Sequence, residues 1–280
     1  MAQGRTPNSR RHLDGAIDRL CQRTGDNPVR VRRYLANVIV GQLLPEGAVK
    51  GGTALKMRFG RETTRYSQDL DTARACELDK YLERLASSLS YGWAGFTGRL
   101  VPRTPAAPQG VPQVYVMRPF DVKLEYNGTS WLTVPLEVGH NEIGDADEPD
   151  ATVPCEAAEL CRELGLPAPG PVALMKLEHQ IAQKIHAVSS PNSERAHDLV
   201  DLQIIAKKGS YDMGSTRDAC LRLFAYRKAQ TWPPVIQTGP LWEELYAAQA
   251  VGLDVLGSVD EAIVWANNLV MRIDAYRDVA

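Results

Sequence analysis

The sequence predicts an α+β protein, with a mixed sheet and flanking helices in its N-terminal half and a helical bundle after it. Three observations carry this. First, Val122, Leu124 and Tyr126 alternate with Asp121, Lys123 and Glu125, and Asn127-Gly128 separates this run from Trp131–Val138. Asn-Gly between two such runs is a hairpin signal, because the tight hairpin turn needs positive φ at both central residues. Second, apolar residues from Glu156 onward recur almost throughout at the spacing of an amphipathic helix. Third, the composition changes between these regimes, at an acidic loop over 140–154. The expected boundary therefore lies near residue 153, with an α/β part over 1–153 and a helical part over 154–280. A chain of 280 residues can bury a sizeable core in either arrangement.

In order, residues 1–9 read as disordered. Leu13, Ile17, Leu20 and Cys21 mark a helix over 10–24. Pro28 opens a second, running to about Leu44 with Val31, Leu35, Val38 and Leu43 inward, and Pro45-Glu46-Gly47 ends it. Val49 leads into a glycine turn, Thr53–Phe59 form a short helix, and Ser67–Thr72 a strand. Residues 77–90 form a helix that buries Leu78, Leu82, Leu85 and Leu89. A loop rich in Pro, Gln and Gly covers 101–112. Strands follow over Val114–Tyr126 and Trp131–Val138. The later helices span 156–164, 171–188, 194–207, 215–230, 240–250 and 259–276.

Net charge is −2, which gives no global basic signal for nucleic acid. Its distribution says more. Residues 1–33 hold eight Arg against three Asp, and Lys56, Arg58, Arg61 and Arg65 form a second basic set, whereas 137–163 hold nine acidic residues and one Arg. This asymmetry suits a local anionic ligand on the N-terminal side, although solvated faces of amphipathic helices would produce it too. The five Cys are scattered without a CxxC or zinc spacing, as expected of reduced thiols in a cytoplasmic protein. No secretory signal and no apolar run near the ~20 residues of a membrane span is found.

The chemistry centres on Lys50-Gly51-Gly52-Thr53-Ala54-Leu55 and Arg65-Tyr66-Ser67-Gln68-Asp69-Leu70-Asp71. Gly51 and Gly52 let the backbone turn and approach a ligand. Thr53 can cap the following helix, whose first N–H groups suit phosphate oxygens. Asp69 and Asp71 share one face of a strand and repel each other unless a cation lies between. Hard oxygen ligands at this spacing suit Mg²⁺, which keeps waters and takes substrate phosphates.

Together the two strings resemble the AbiEii/AbiGii family of nucleotidyltransferase toxins, which includes the MenT-type toxins. The resemblance is tight over 48–72 and loose over 176–202. Thr72 departs from the usual apolar residue, and sixteen residues separate Gly52 from Asp69. The resemblance implies a nucleotidyltransferase-type sheet and Mg²⁺-dependent transfer of a nucleoside monophosphate from an NTP, with Mn²⁺ as an alternative metal. Gly51, Gly52, Thr53 and Ser67 would cradle the nucleotide, and Asp69 and Asp71 would hold metal. Glu137, Glu125 and Asp121 are the candidates for a third carboxylate, with Glu137 preferred. Lys184 would neutralise triphosphate oxygens and Asp198 would orient it, bringing both from the helical part toward the cleft. Alternatively, Lys184 sits on an exposed helix face and Asp198 pairs with Arg195. Lys176 and Asp201 are weaker stand-ins. A phosphate on Ser67 would set negative charge beside the carboxylates and switch the site off. The resemblance also implies a cognate antitoxin and an RNA acceptor, above all the tRNA 3′ end. A protein or small-molecule hydroxyl is the alternative acceptor, and a silent nucleotide- or antitoxin-binding module the non-enzymatic reading.

Overall fold

The computed structural model describes residues 6–105 and 116–277. The chain divides into two units, neither continuous in sequence. One takes the chain up to Gly60, Ser67–Asn141 and Ala146–Leu174, and the other takes Arg61–Tyr66, Glu142–Asp145 and the chain from Met175. The helical part thus begins at 175, not near 153, because residues 146–174 supply strands to the first unit's sheet.

The first unit opens with helices α1 (Arg10–Thr24) and α2 (Pro28–Gln42), then strand β1 (Gly47–Lys50), helix α3 (Gly51–Phe59) and strand β2 (Leu70–Arg74). Helix α4 (Leu78–Tyr91), strands β3 (Phe96–Pro102), β4 (Arg118–Tyr126), β5 (Thr129–His140) and β6 (Asp150–Thr152), helix α5 (Ala157–Glu163) and strand β7 (Val172–Leu174) complete it. The seven strands form one sheet in the order β3-β4-β5-β2-β1-β7-β6. The β1–β7 and β2–β5 pairs are parallel and the others antiparallel. The foreseen hairpin is present: Asn127 (φ 48°) and Gly128 (φ 75°) turn β4 into β5. Its alternation decides its faces. Val122, Leu124, Tyr126, Val134, Leu136 and Val138 are buried in a core with Leu13, Ile17, Leu35, Ile39, Leu85, Leu89 and Phe96.

Several expectations shift. Residues 1–5 and 106–115, including parts of the foreseen N-terminal tail, the 101–112 loop and Val114, lie outside the described residues. Residues 6–9 are held rather than loose: Thr6 Oγ1 donates to the Gly165 carbonyl at 2.8 Å, Tyr126 OH donates to the Pro7 carbonyl, and Ser9 caps α1. The helix expected over 171–188 is strand β7 and then α6 (Leu177–Val188). A run as short as Val172–Leu174 shows no period that separates strand from helix; its pairing with β1 and β6 decides. Strand β3 is likewise specified by its partner β4.

The second unit holds α6 with α7 (His197–Lys208), α8 (Met213–Arg227), α9 (Trp242–Ala250) and α10 (Val259–Ala275). Ile181, Ile185, Leu199, Leu202, Leu223 and Ile273 are buried in it. Its two short excursions are tied to these helices. Arg65 forks onto Asp201, with both contacts at 3.0 Å, and Arg227 forks onto Glu142 at 2.9 and 3.0 Å.

Candidate active site

The site is built where β1, α3, β2 and β5 meet. β1 ends at Lys50, and Gly51, at φ 69°, swings the backbone straight into α3. A Cβ on Gly51 would stand 2.5 Å from Asp71 Oδ2. Only glycine lets the helix start this close to the carboxylate. Gly52 is buried in the first turn. Thr53 does not cap the helix; Lys50 holds that position, without a side-chain bond. The Thr53 hydroxyl instead donates to the Asp69 carbonyl at 2.6 Å and lies 3.4 Å from Ser67 Oγ, so it ties α3 to the segment before β2. Ser67 and Asp69 precede β2, which runs from Leu70, and strand alternation does not govern them. Thr72 is fully buried and donates to the Glu137 carbonyl at 3.0 Å, so its hydroxyl is satisfied in the core.

Across the sheet, Lys50 pairs with Asp71, and Asp71 with Glu137. Directly opposed residues share a face, so one row presents a cation and two carboxylates side by side. Glu125 pairs with Ser130, and Asp121 pairs with Pro135 and accepts from Lys123 at 3.0 Å. Glu137 is therefore the carboxylate candidate set beside Asp71. Burial, then the charges of Asp71 and Asp69, push its carboxyl above the ordinary range, against Arg103 and Lys50. A divalent cation would relieve that repulsion. Among the described residues no group of three His, Cys, Asp or Glu side chains stands close enough together to hold a metal ion on its own. An open set of hard oxygens beside a Gly51 that leaves room for it still fits Mg²⁺, which keeps its own waters and takes substrate phosphates.

Lys50 opens the string that the sequence reading centred on, immediately before the two glycines, but was given no role there. Its ammonium lies over Gly139, 3.3 Å from where a Cβ would sit there. The flanking basic set, by contrast, is partly committed to ion pairs. Arg58 pairs with Asp150 at 2.8 Å, and Arg65 with Asp201.

Lys184 and Asp198 belong to the second unit. Lys184 is 5% exposed, which excludes the solvent-facing alternative. It donates to Asp198 Oδ1 at 2.8 Å and to Asp201 Oδ2 at 2.5 Å. Asp198 also accepts from Arg195 at 2.8 Å. Burial opposes ionisation of Asp198, but Lys184 and Arg195 outweigh it and hold the carboxyl well below the usual range. Asp201, ranked behind Asp198 by the sequence reading, is an equal partner. Its i,i+3 relation to Asp198 on one helix was the available signal. Lys176 stands at the N-cap of α6.

The chain matches the family described as nucleotidyl transferase AbiEii toxin, type IV toxin–antitoxin system, over residues 33–263. It belongs to this family. The AbiEii chain is accordingly an enzyme of nucleotidyl transfer with an NTP as substrate, and its toxin–antitoxin family implies a cognate antitoxin. Among solved structures, MenT4, a nucleotidyltransferase toxin from Mycobacterium tuberculosis, shares its fold. The TM-score is 0.50 at 14% identity, covering 86% of this chain and 91% of that one. A putative nucleotidyltransferase from H. pylori aligns at 15% identity and a TM-score of 0.43, over 88% of this chain and 93% of that one. No curated protein matches. No helix among the described residues is long and apolar enough to cross a membrane.

Proposed function

We propose that this AbiEii protein transfers a nucleoside monophosphate from an NTP to an RNA acceptor, the tRNA 3′ end above all, and so blocks translation as the toxin of a cytoplasmic toxin–antitoxin pair. The observation that carries the nucleotidyl-transfer chemistry is the row Lys50–Asp71–Glu137 beside the Gly51 turn. It sets carboxylates against the free N–H groups of a helix start, the combination a metal-bound triphosphate requires. Mg²⁺ held by Asp69, Asp71 and Glu137 would offset triphosphate charge and make the acceptor hydroxyl a better nucleophile; Mn²⁺ would satisfy the same donors.

The chain's own residues have the following proposed parts. The first amides of α3, with Gly51, Gly52 and Thr53, receive phosphate oxygens. Ser67 lies beside Thr53 and fixes the approach to Asp69. Lys184 neutralises triphosphate oxygens, with Asp198 and Asp201 holding its ammonium. Two of its three N–H donors are engaged by these carboxylates, and the third is the one proposed for phosphate.

The test is incubation with total bacterial RNA, Mg²⁺ and each α-labelled NTP in turn, beside an Asp69→Ala control. Label on tRNA-sized RNA that vanishes in the control is the expected result. Label on protein or a small metabolite would replace the acceptor and keep the chemistry. No transfer to any acceptor would overturn the reading in favour of a binding module.

A further inference from the structure

α1 carries more Arg than its neighbours neutralise. Asp14 accepts from Arg10 at 3.4 Å and from Arg32 at 3.0 Å, and Asp18 accepts from Arg32 at 2.7 Å. Glu163 takes Arg23. Arg11 and Arg19 are left exposed, with no ionic partner among the described residues. Arg19 stands at one side of a cavity of about 290 Å³ lined by Thr6, Pro7, Asn8, His12, Ala16 and Arg19. Its guanidinium lies back along the helix over Gly15, with Nη1 3.3 Å from where a Cβ would stand. His12 and Arg19 are seven residues apart, two turns along one helix face. Between them Ala16 leaves the floor low.

The remaining walls have only part of their polar groups assigned. The Thr6 hydroxyl and the Pro7 carbonyl are used in bonds to Gly165 and Tyr126. Asn8 Oδ1 contacts His12 Nδ1, which leaves the Asn8 amide donors and the other ring nitrogen for a ligand. A cavity near the lower size limit of ligand pockets, with a guanidinium, an imidazole and an amide over an Ala and Pro floor, matches one nucleotide unit: anionic phosphate with an apolar sugar or base face.

We propose that this N-terminal pocket is a docking subsite for one phosphodiester of the RNA acceptor, gripped by Arg19 with His12 and Asn8. The inference rests on the RNA-acceptor reading and adds to it a site remote in sequence from the Gly51–Asp71 strings. It predicts an effect on acceptor binding and none on the chemical step.

The experiment measures binding of deacylated tRNA to the full chain by fluorescence anisotropy across a salt series, without NTP or Mg²⁺, for wild type, Arg19→Gln and Arg19→Lys. Labelled-nucleotide transfer is then followed as a function of RNA concentration. Arg19→Gln should weaken binding and lower the salt slope of log K by ~0.7–0.9, the loss of one phosphate contact. It should raise KM for RNA at unchanged kcat and unchanged KM for NTP, and Arg19→Lys should restore most of the slope. Arg19 is exposed, so the variants keep the fold. Equal slopes in all three proteins, with wild type still labelling RNA, overturn the pocket and leave the acceptor reading standing. Failure of wild type to bind or label RNA overturns both. Saturation of the pocket by inorganic phosphate alone, seen as His12 NMR shifts with RNA affinity unaffected, also overturns the RNA assignment.

Discussion

At the residue scale, Gly51 and Lys184 decide most. A Cβ at Gly51 would need the space of Asp71 Oδ2, and φ 69° disfavours any other residue. Gly51→Ala should therefore displace the carboxylate, with backbone strain of about 1–2 kcal/mol. With Asp71 in its proposed metal-holding role, a displacement of about 1 Å lowers rates roughly 100-fold, so kcat for nucleotide transfer should fall by that order while the circular dichroism spectrum is retained. A variant with wild-type kcat would remove Gly51 from the site. Lys184 is held by two buried carboxylates that would be left facing each other without it. Lys184→Met should destabilise the helical unit by about 3–5 kcal/mol, as when one member of a buried ion pair is removed. Urea unfolding reads this directly, and a change below 1 kcal/mol would show that the network contributes little. The sequence reading singled out Lys184, Asp198 and Asp69 by motif. It gave Lys50 no part of its own, because a strand-end lysine looks the same as any solvated one until its cross-strand neighbour is known.

At the element scale, His186 on α6 is buried and His197 at the start of α7 is half-buried, and both are held neutral. Burial, reinforced by Arg227, pushes His186 down to about 4. Its ring packs edge-on against Phe224 at 4.9 Å, and its Nδ1 lies 3.3 Å from Arg227. Burial also pushes His197 down to about 4, with Arg65 and Arg195 in the same direction and Asp198 and Asp201 opposing. The unfolded chain thus binds protons at these sites from about pH 6.5 downward, and the folded chain only near 4. Their contribution to stability is full above about 6.5 and is lost as pH falls toward 4. The melting temperature of the helical unit should drop over that window, and a His186→Gln, His197→Gln pair should flatten the drop. An unchanged profile would place the acid sensitivity elsewhere. Most helices were legible in the sequence because caps and apolar spacing are local: Ser9, Asn27, Asp212 and Ser258 each cap the helix that follows. β3 and β7 were not, since neither strand has a pattern of its own and each exists through its neighbour.

At the scale of the whole molecule, the chain's division is what the linear reading got least well. A cut near residue 153, where the composition changes, would take β7 from β1 and leave Arg65 without Asp201 and Glu142 without Arg227. Fragments 1–153 and 154–280 should each show low protease resistance and a broad thermal transition, whereas the full chain resists. Two independently cooperative fragments would show that the excursions 61–66 and 142–145 are dispensable. What the sequence determined by itself is what short-range chemistry encodes: the helices, the Asn127-Gly128 hairpin, the Gly-Gly turn before a helix, and the carboxylates at 69 and 71. What only the tertiary structure decided is which distant residues share a row or a buried charge. Lys50, Asp71 and Glu137 are aligned by strand register, and Arg65, Lys184, Asp198 and Asp201 by burial. Register and burial depend on partners tens to more than a hundred residues away, and no local window of sequence contains them.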